Sequence, residues 1–262
     1  MQEPAIEFEN VSLSYRIMAE QGINSFKEWA IKWMTRRVMY RELRALSDVS
    51  FKVSTGHAVG IIGHNGAGKS TLLRVAAGIL RPTAGRAVVR GHQAPVIELG
   101  FGFEAELSGR ENIFFNGALL GRSPDEMAAR LDEIVDFADL HEFIDQPIRT
   151  YSTGMVARLA FAVATTVDAH ILLLDEVLAV GDAGFRLKCQ DRLQSFRDAG
   201  VTILLVSHDL AAVETTCDQA LWLDKGTVRA FGPAADVVAR YYASVAEDPA
   251  VGGAIGDAVQ QG

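Results

Sequence analysis

The stretch Gly63-His64-Asn65-Gly66-Ala67-Gly68-Lys69-Ser70-Thr71 constrains this chain more than any other. A short apolar run from Ala58 to Ile62 precedes it, and an apolar-periodic run from Leu72 to Leu80 follows. The order is strand, glycine-rich turn, helix, with the G-x4-G-K-S spacing of a phosphate-binding loop. Glycines let backbone N–H groups curl around phosphate oxygens, and the new helix turns its positive end toward them. Lys69 is then placed for the β- and γ-phosphates, and the Ser70 hydroxyl for a magnesium position. A plain strand-to-helix turn accounts for the glycines alone. Only a nucleoside triphosphate site accounts for the motif, its spacing and both flanks together.

Composition narrows the class. The 262 residues are 49% hydrophobic and 22% charged, which suits an α/β globular chain large enough to bury a full core. No apolar run approaches the roughly 18 residues that a membrane-crossing helix needs. Met1-Gln2-Glu3-Pro4 lacks the basic-then-apolar layout of a secretion signal. Cys189 and Cys217 are too few and too separated for a disulfide framework or zinc site, and read as cytosolic thiols. The net charge of −8 argues against a broad nucleic-acid surface, so nucleic acid is not expected as a partner.

One segment departs from this average. Arg16 to Arg44 carries seven basic residues (Arg16, Lys27, Lys32, Arg36, Arg37, Arg41, Arg44) against three acidic ones (Glu20, Glu28, Glu42). Its balance is +4, which leaves −12 for the remainder of the net −8. Phe26, Trp29, Ala30 and Trp33 share one face at helical spacing, with Glu28, Lys32 and Thr35 opposite. Two readings stay open: a helix packed on its own domain, or one meeting a membrane surface or membrane partner, where Trp and basic residues are favoured.

The rest reads as a strand-rich core interrupted by helices. Ile6 to Tyr15 predicts one or two early strands, and Leu46 to Val53 another. Residues from about 98 to 168 predict a helical subdomain. Within it Ser123-Pro124-Asp125-Glu126 spells a capping box, and Met127, Leu131, Ile134, Val135 and Ala138 mark one buried helix face. A strand over Ala220–Leu223, a turn at Asp224-Lys225-Gly226, a strand over Thr227–Phe231 and a helix over Pro233–Ser244 close a domain spanning 1–245. Residues 246–262 have no periodic face and read as a frayed tail.

Two further apolar runs end in reactive residues. Ile171–Leu174 stops at Asp175-Glu176, and Val201–Val206 at Ser207-His208-Asp209. Unbroken apolar runs fit strands buried on both faces, and in parallel sheets ligands gather at the strands' carboxyl ends. The phosphate loop, Asp175-Glu176 and Ser207-His208 are therefore expected on one sheet edge. Asp175 suits a magnesium ligand, Glu176 a group that orients or deprotonates an attacking water, and His208 a donor to the γ-phosphate.

Tyr151-Ser152-Thr153-Gly154-Met155 opens a further helix, with Val156, Leu159, Ala160, Val163 and Val167 on its buried face. It resembles the Leu-Ser-Gly-Gly-Gln signature of ATP-binding-cassette (ABC) ATPases, matching at Ser152 and Gly154 and departing at Thr153 and Met155. Together with Lys69, Asp175, Glu176, Asp182 and His208 in order, the resemblance runs from Ile6 to Tyr242. It implies a phosphate-loop NTPase with a RecA-like α/β core, an antiparallel β subdomain and an inserted helical subdomain, using ATP and Mg2+. It also implies that Tyr15 stacks on adenine and that Asp182 is the D-loop aspartate. Ser152, Thr153 and Gly154 then bind ATP held by a second copy, which makes the active species a homodimer. Glu98, in Val96-Ile97-Glu98-Leu99-Gly100, stands where the family has a glutamine facing magnesium and the membrane partner. It is assigned a metal or coupling role.

The basic Trp-bearing insertion, Glu98-Leu99-Gly100-Phe101-Gly102-Phe103, Gly109-Arg110-Glu111-Asn112 and Asp175 to Asp182 are similar to one branch, the ATPase subunits of O-antigen, capsule and teichoic-acid exporters. That resemblance implies a subunit peripheral to the cytoplasmic face of the membrane. Its partners are a separate permease and a lipid-linked glycan, and no further glycan-binding domain is expected. A drug, lipid or peptide exporter ATPase is the first alternative, and a soluble ABC protein acting on DNA or ribosomes the second. Lys69→Ala should abolish ATP binding by removing the main point charge facing the phosphates, as titration with a fluorescent ATP analogue would show.

Overall fold

The computed structural model describes residues 3–18, 40–97, 102–166, 168–176 and 182–246. Glu98, the tryptophan-bearing face, Val167 and the tail from residue 247 lie outside the described residues.

Two sheets form the frame. Antiparallel β1 (Ile6–Met18) pairs with β2 (Tyr40–Val53) on one side and β4 (Ala84–Val89) on the other. The early strands are thus a single element, and β2 begins well before Leu46. The two pair out to Met18↔Tyr40, so both ends of the basic segment 16–44 are strand and not insertion. The three register shifts of the ribbon fall earlier, between Phe8 and Ser14, and the pairing from Ser14↔Arg44 to Met18↔Tyr40 is regular.

The second sheet has the order β5-β6-β7-β3-β8-β9. Its members are β3 (Ala58–Ile62), β5 (Gln93–Val96), β6 (Ile171–Asp175), β7 (Thr202–Val206), β8 (Gln219–Asp224) and β9 (Thr227–Pro233). The first five run parallel, and β9 turns back on β8 through Lys225-Gly226, both at positive φ as a tight hairpin requires. Alternate residues feed opposite cores. Ile61, Leu173 and Leu204 face the antiparallel sheet and α1 (Lys69–Ala76), whereas Ile62, Leu172 and Leu205 face the helices on the other side. Burial on both faces is why these strands read as unbroken apolar runs.

The helical subdomain contains α2 (Gly109–Leu119), α3 (Pro124–Ala129), α4 (Leu131–Ala138), a 3₁₀ turn at Ile148–Thr150 and α5 (Thr153–Thr165). The capping box at Ser123 and Glu126 forms as its spelling predicts. The single helix expected after it is two, broken at Arg130, whose guanidinium is drawn to the Thr166 carbonyl at 2.7 Å and Asp168 at 2.9 Å. Nor does α5 have one buried stripe. Leu159, Ala162 and Val163 pack in the helical subdomain, while Phe161 and Ala164 pack under the parallel sheet. The helix is shared between two cores, with Phe161 fully buried. After it come α6 (Ala183–Asp198), α7 (Leu210–Thr216) and α8 (Ala234–Ala246). No helix among the described residues is long and apolar enough to cross a membrane.

Candidate functional site

The loop between β3 and α1 can be made only with glycine at key positions. Gly63 has φ +145° and Gly68 +105°; a Cβ would fall 2.1 Å from the Leu223 carbonyl at the first and 2.6 Å from the Ala45 carbonyl at the second. These contacts come from the end of β8 and from β2, which brace the loop from behind. Gly226 N donates to the Ala67 carbonyl at 2.9 Å, and His64 Nε2 donates to Asp224 Oδ1 at 2.9 Å. Asp224 also accepts from Arg229 Nε and Nη2 at 2.9 and 2.8 Å. His64 therefore faces the brace and not the phosphate cleft. The sequence carries no sign of Asp224 as a partner, because the pairing spans 160 positions.

Lys69 is buried, and its Nζ donates to the carbonyls of Gly63 and His64 at 2.8 and 3.1 Å. Burial pushes its ammonium below the usual lysine range, with Glu176 and Asp175 pulling the other way. The charge is held ready at the loop by carbonyls that water would otherwise solvate. A cleft of about 300 Å³ opens in front, lined by Tyr15, Asn65, Gly66, Gly68, Lys69, Ser70, Thr71 and Glu176. Tyr15 stands 3.4 Å from Thr71 through their hydroxyls. Leu43, Arg44 and Ala45 complete the wall. They went unnoticed in the sequence, although Leu43 lies directly across from Tyr15 in the ribbon.

Strand register delivers the acidic residues to this cleft. Asp175 pairs with Val206, and Val206 with Ile61, so the ends of β6, β7 and β3 lie side by side. The Asp175 carboxyl is pushed above the usual carboxylate range, chiefly by burial, while a hydrogen bond from Ser70 acts against this. Its Oδ1 is buried without any hydrogen-bond partner. An orphaned carboxylate oxygen beside a serine hydroxyl fits a divalent cation. Among the described residues no group of three or more His, Cys, Asp or Glu could hold a metal alone. Among the described residues Asp175 and Ser70 are thus few ligands for such a cation, which suits magnesium, an ion that usually keeps several waters.

Glu176 has φ +54°, a left-handed conformation that costs a non-glycine residue about 1–2 kcal/mol. Its N–H donates to the Val206 carbonyl at 2.9 Å, which holds the turn in place. The carboxylate then meets His208, with Nε2 2.7 Å from Oε1. Both side chains are about half exposed, at 49% and 47%, and so can reach a reacting water. Ser207 is buried and accepts from Asp209 N at 3.0 Å, which shapes the turn that carries His208.

Ser152, Thr153 and Gly154 do not join this cleft. Ser152 caps α5, accepting from Met155 N at 3.2 Å, and is exposed, as is Thr153. Asp182 is not in the cleft either. It caps α6 through Phe185 N at 2.9 Å and pairs with Arg158. The Phe185 N–H, with Arg158 adding to it, holds its carboxyl below the usual range.

The ABC transporter family model matches residues 46–179. The O-antigen export system ATP-binding protein RfbB of Klebsiella pneumoniae is 43% identical over 246 residues, covering 93% of this chain and 100% of that one. A protein of the same description from Myxococcus xanthus is 45% identical, over 90% of this chain and 55% of its own length. The teichoic acids export ATP-binding protein TagH of Bacillus cereus is 39% identical, over 92% of this chain and 43% of its own. The chain thus spans the whole of the first relative and about half of the other two. Among solved structures, a dimeric ATP-binding cassette in a post-hydrolysis state with ADP and Pi superposes with a TM-score of 0.70 at 21% identity, over 87% of this chain and 98% of that one. At that identity the likeness shows the fold.

A raised carboxyl pKa means that the folded chain binds the Asp175 proton more tightly than the unfolded chain. The stability this supplies is present at low pH and is lost as pH rises through the folded-state value. Asp175→Asn, neutral at all pH, should therefore melt higher than the parent at pH 7 without nucleotide or metal. In scanning calorimetry the gap should close below the ordinary carboxylate range.

Proposed function

The chain belongs to the ABC transporter family, and on that footing we propose that it hydrolyses ATP to drive export of a lipid-linked polysaccharide through a separate membrane permease. What carries the catalytic half is one juxtaposition: the Glu176–His208 pair stands at the ends of β6 and β7, beside the Lys69 loop. The cargo class rests on the relatives, whose descriptions are of O-antigen and teichoic acid export.

In this scheme adenine stacks on Tyr15, and the triphosphate lies along the N–H groups from Gly63 to Thr71. Lys69 exchanges its two loop carbonyls for the β- and γ-phosphate oxygens. Ser70 and Asp175 hold magnesium, which when bound neutralises phosphate charge. Glu176 accepts a proton from water as the water oxygen bonds to the γ-phosphorus. The bond from that phosphorus to the bridging oxygen breaks, and its electron pair leaves with ADP. His208 donates to the γ-phosphate and, through its bond to Glu176, keeps that carboxylate aimed at the water. Positioning and charge compensation are the main demands of such a reaction.

Because Ser152 and Thr153 are exposed, Gly154 is half-buried and none of the three lines their own chain's cleft, they serve the nucleotide of a second copy. Free N–H groups and the helix dipole at the start of α5 attract its γ-phosphate. The dimer is head to tail, with Asp182 near the shared nucleotide. The permease docks on α2, where Phe115 and Leu119 are 40% and 61% exposed. The ribbon of β1 and β2 ends at Met18 and Tyr40, where the basic, tryptophan-bearing sequence begins. That sequence meets the inner membrane surface and the glycan lipid.

Glu176→Gln should bind ATP normally, accumulate as an ATP-bound dimer in gel filtration, and turn over at least ~100-fold more slowly. Normal turnover would remove Glu176 from the reaction. Deleting Ile23–Tyr40 should abolish polysaccharide export from cells while ATP affinity stays within about two-fold; export that survives would favour another cargo.

A further inference from the structure

Arg158 sits where three elements meet. Its guanidinium lies 5.4 Å from the centre of the Phe185 ring on α6. Nη2 bonds to Asp182 Oδ2, and Nη1 is 3.8 Å from Asp139 Oδ2. Asp139 is the left-handed residue, φ +56°, that ends α4. The Asp182 carboxylate divides its work: Oδ1 takes the Phe185 N–H to cap α6, and Oδ2 takes the guanidinium from α5. Arg158 is six residues along α5 from Ser152, roughly 9 Å down the helix axis. At the far end of the same contact, Arg192 of α6 lies 4.8 Å from the Phe137 ring and bonds to Glu133 of α4 at 2.9 Å. Between the two arginines Phe137, Phe161 and Phe185 touch, with ring centres 5.6–6.1 Å apart. The middle of α5 and the start of α6 are thus tied by one side chain over a floor of three aromatic rings.

We infer that Arg158 is a positioning residue: it locks the phosphate-binding start of α5 to Asp182, so that both meet the partner chain's nucleotide as one surface. The inference rests on the two-chain arrangement proposed above. Donors at a helix start act only within tenths of an ångström of the anion, and α5 divides its packing between the helical subdomain and the parallel sheet. A flat, forked guanidinium can stack on Phe185 while bonding to Asp182, whereas an ammonium cannot do both.

The test uses the full chain carrying Glu176→Gln, with ATP and magnesium, and light scattering to read the dimer. Arg158→Ala should raise the ATP concentration for half-dimerisation about ten-fold, with single-chain affinity for a fluorescent ATP analogue unchanged, and Arg158→Lys should fall between. Asp182→Asn keeps the capping oxygen but loses the charge, and should reproduce the defect. The double variant should be no worse than either single one, as expected of two residues acting through each other. A merely structural role would instead give additive losses that track the melting temperature. Dimerisation of Arg158→Ala at the parent's ATP concentration, or additive defects, overturns the inference while leaving the two-chain arrangement intact. A parent that never dimerises with ATP overturns both.

Discussion

The parallel pairing of β3, β6 and β7 is the constraint on which everything else depends. Ile61 lies beside Val206 and Val206 beside Asp175, so three strand ends that are distant in sequence stop at one edge. Beyond that edge the chain must leave the sheet, and each strand does so with reactive residues: the glycine loop, Asp175-Glu176, and Ser207-His208. The strands' own apolar side chains, shared between two cores, fix that register. A slip by one residue in β6 would turn Leu172 and Leu174 to the wrong face and carry Asp175 out of reach of Ser70.

The site holds features that folding alone would not choose. Lys69 is buried against carbonyls, Asp175 keeps an oxygen without a partner, and Glu176 adopts a conformation that favours glycine. Each is unfavourable in the empty chain and is offset by the well-packed strands beneath. An anionic ligand would meet the Lys69 charge, and a cation the unpartnered Asp175 oxygen. That pattern marks a site kept ready for its ligand, and it separates this edge from the opposite end of the same sheet.

What was legible in the sequence was what local chemistry dictates. The phosphate loop, the acidic pair after Leu174 and the Ser207-His208 turn are each spelled within a few residues, and their flanks name the strands. The capping box at Ser123 is of the same kind. The break at Arg130 was not legible, since that residue's partners, the Thr166 carbonyl capping α5 and Asp168, lie far along the chain. Nor was the double burial of α5, because an all-round apolar helix shows no stripe. The brace of His64 by Asp224 and the tie of Arg158 to Asp182 are long-range facts that no spacing encodes. The pairing of Leu43 with Tyr15 depends on the length of the β1–β2 ribbon, which no local spacing encodes.

In the two-chain arrangement proposed above, each chain contributes its phosphate-loop cleft and the start of α5, which does not line that cleft, as two half-sites. Two copies placed head to tail would complete both at once, which couples nucleotide binding to subunit contact and hydrolysis to release. The most direct test is a crystal structure of the Glu176→Gln chain with ATP and magnesium. The account predicts Ser152 Oγ and the Gly154 N–H within hydrogen-bond reach of a γ-phosphate held by the partner's Lys69. A structure with both far from any triphosphate would contradict it.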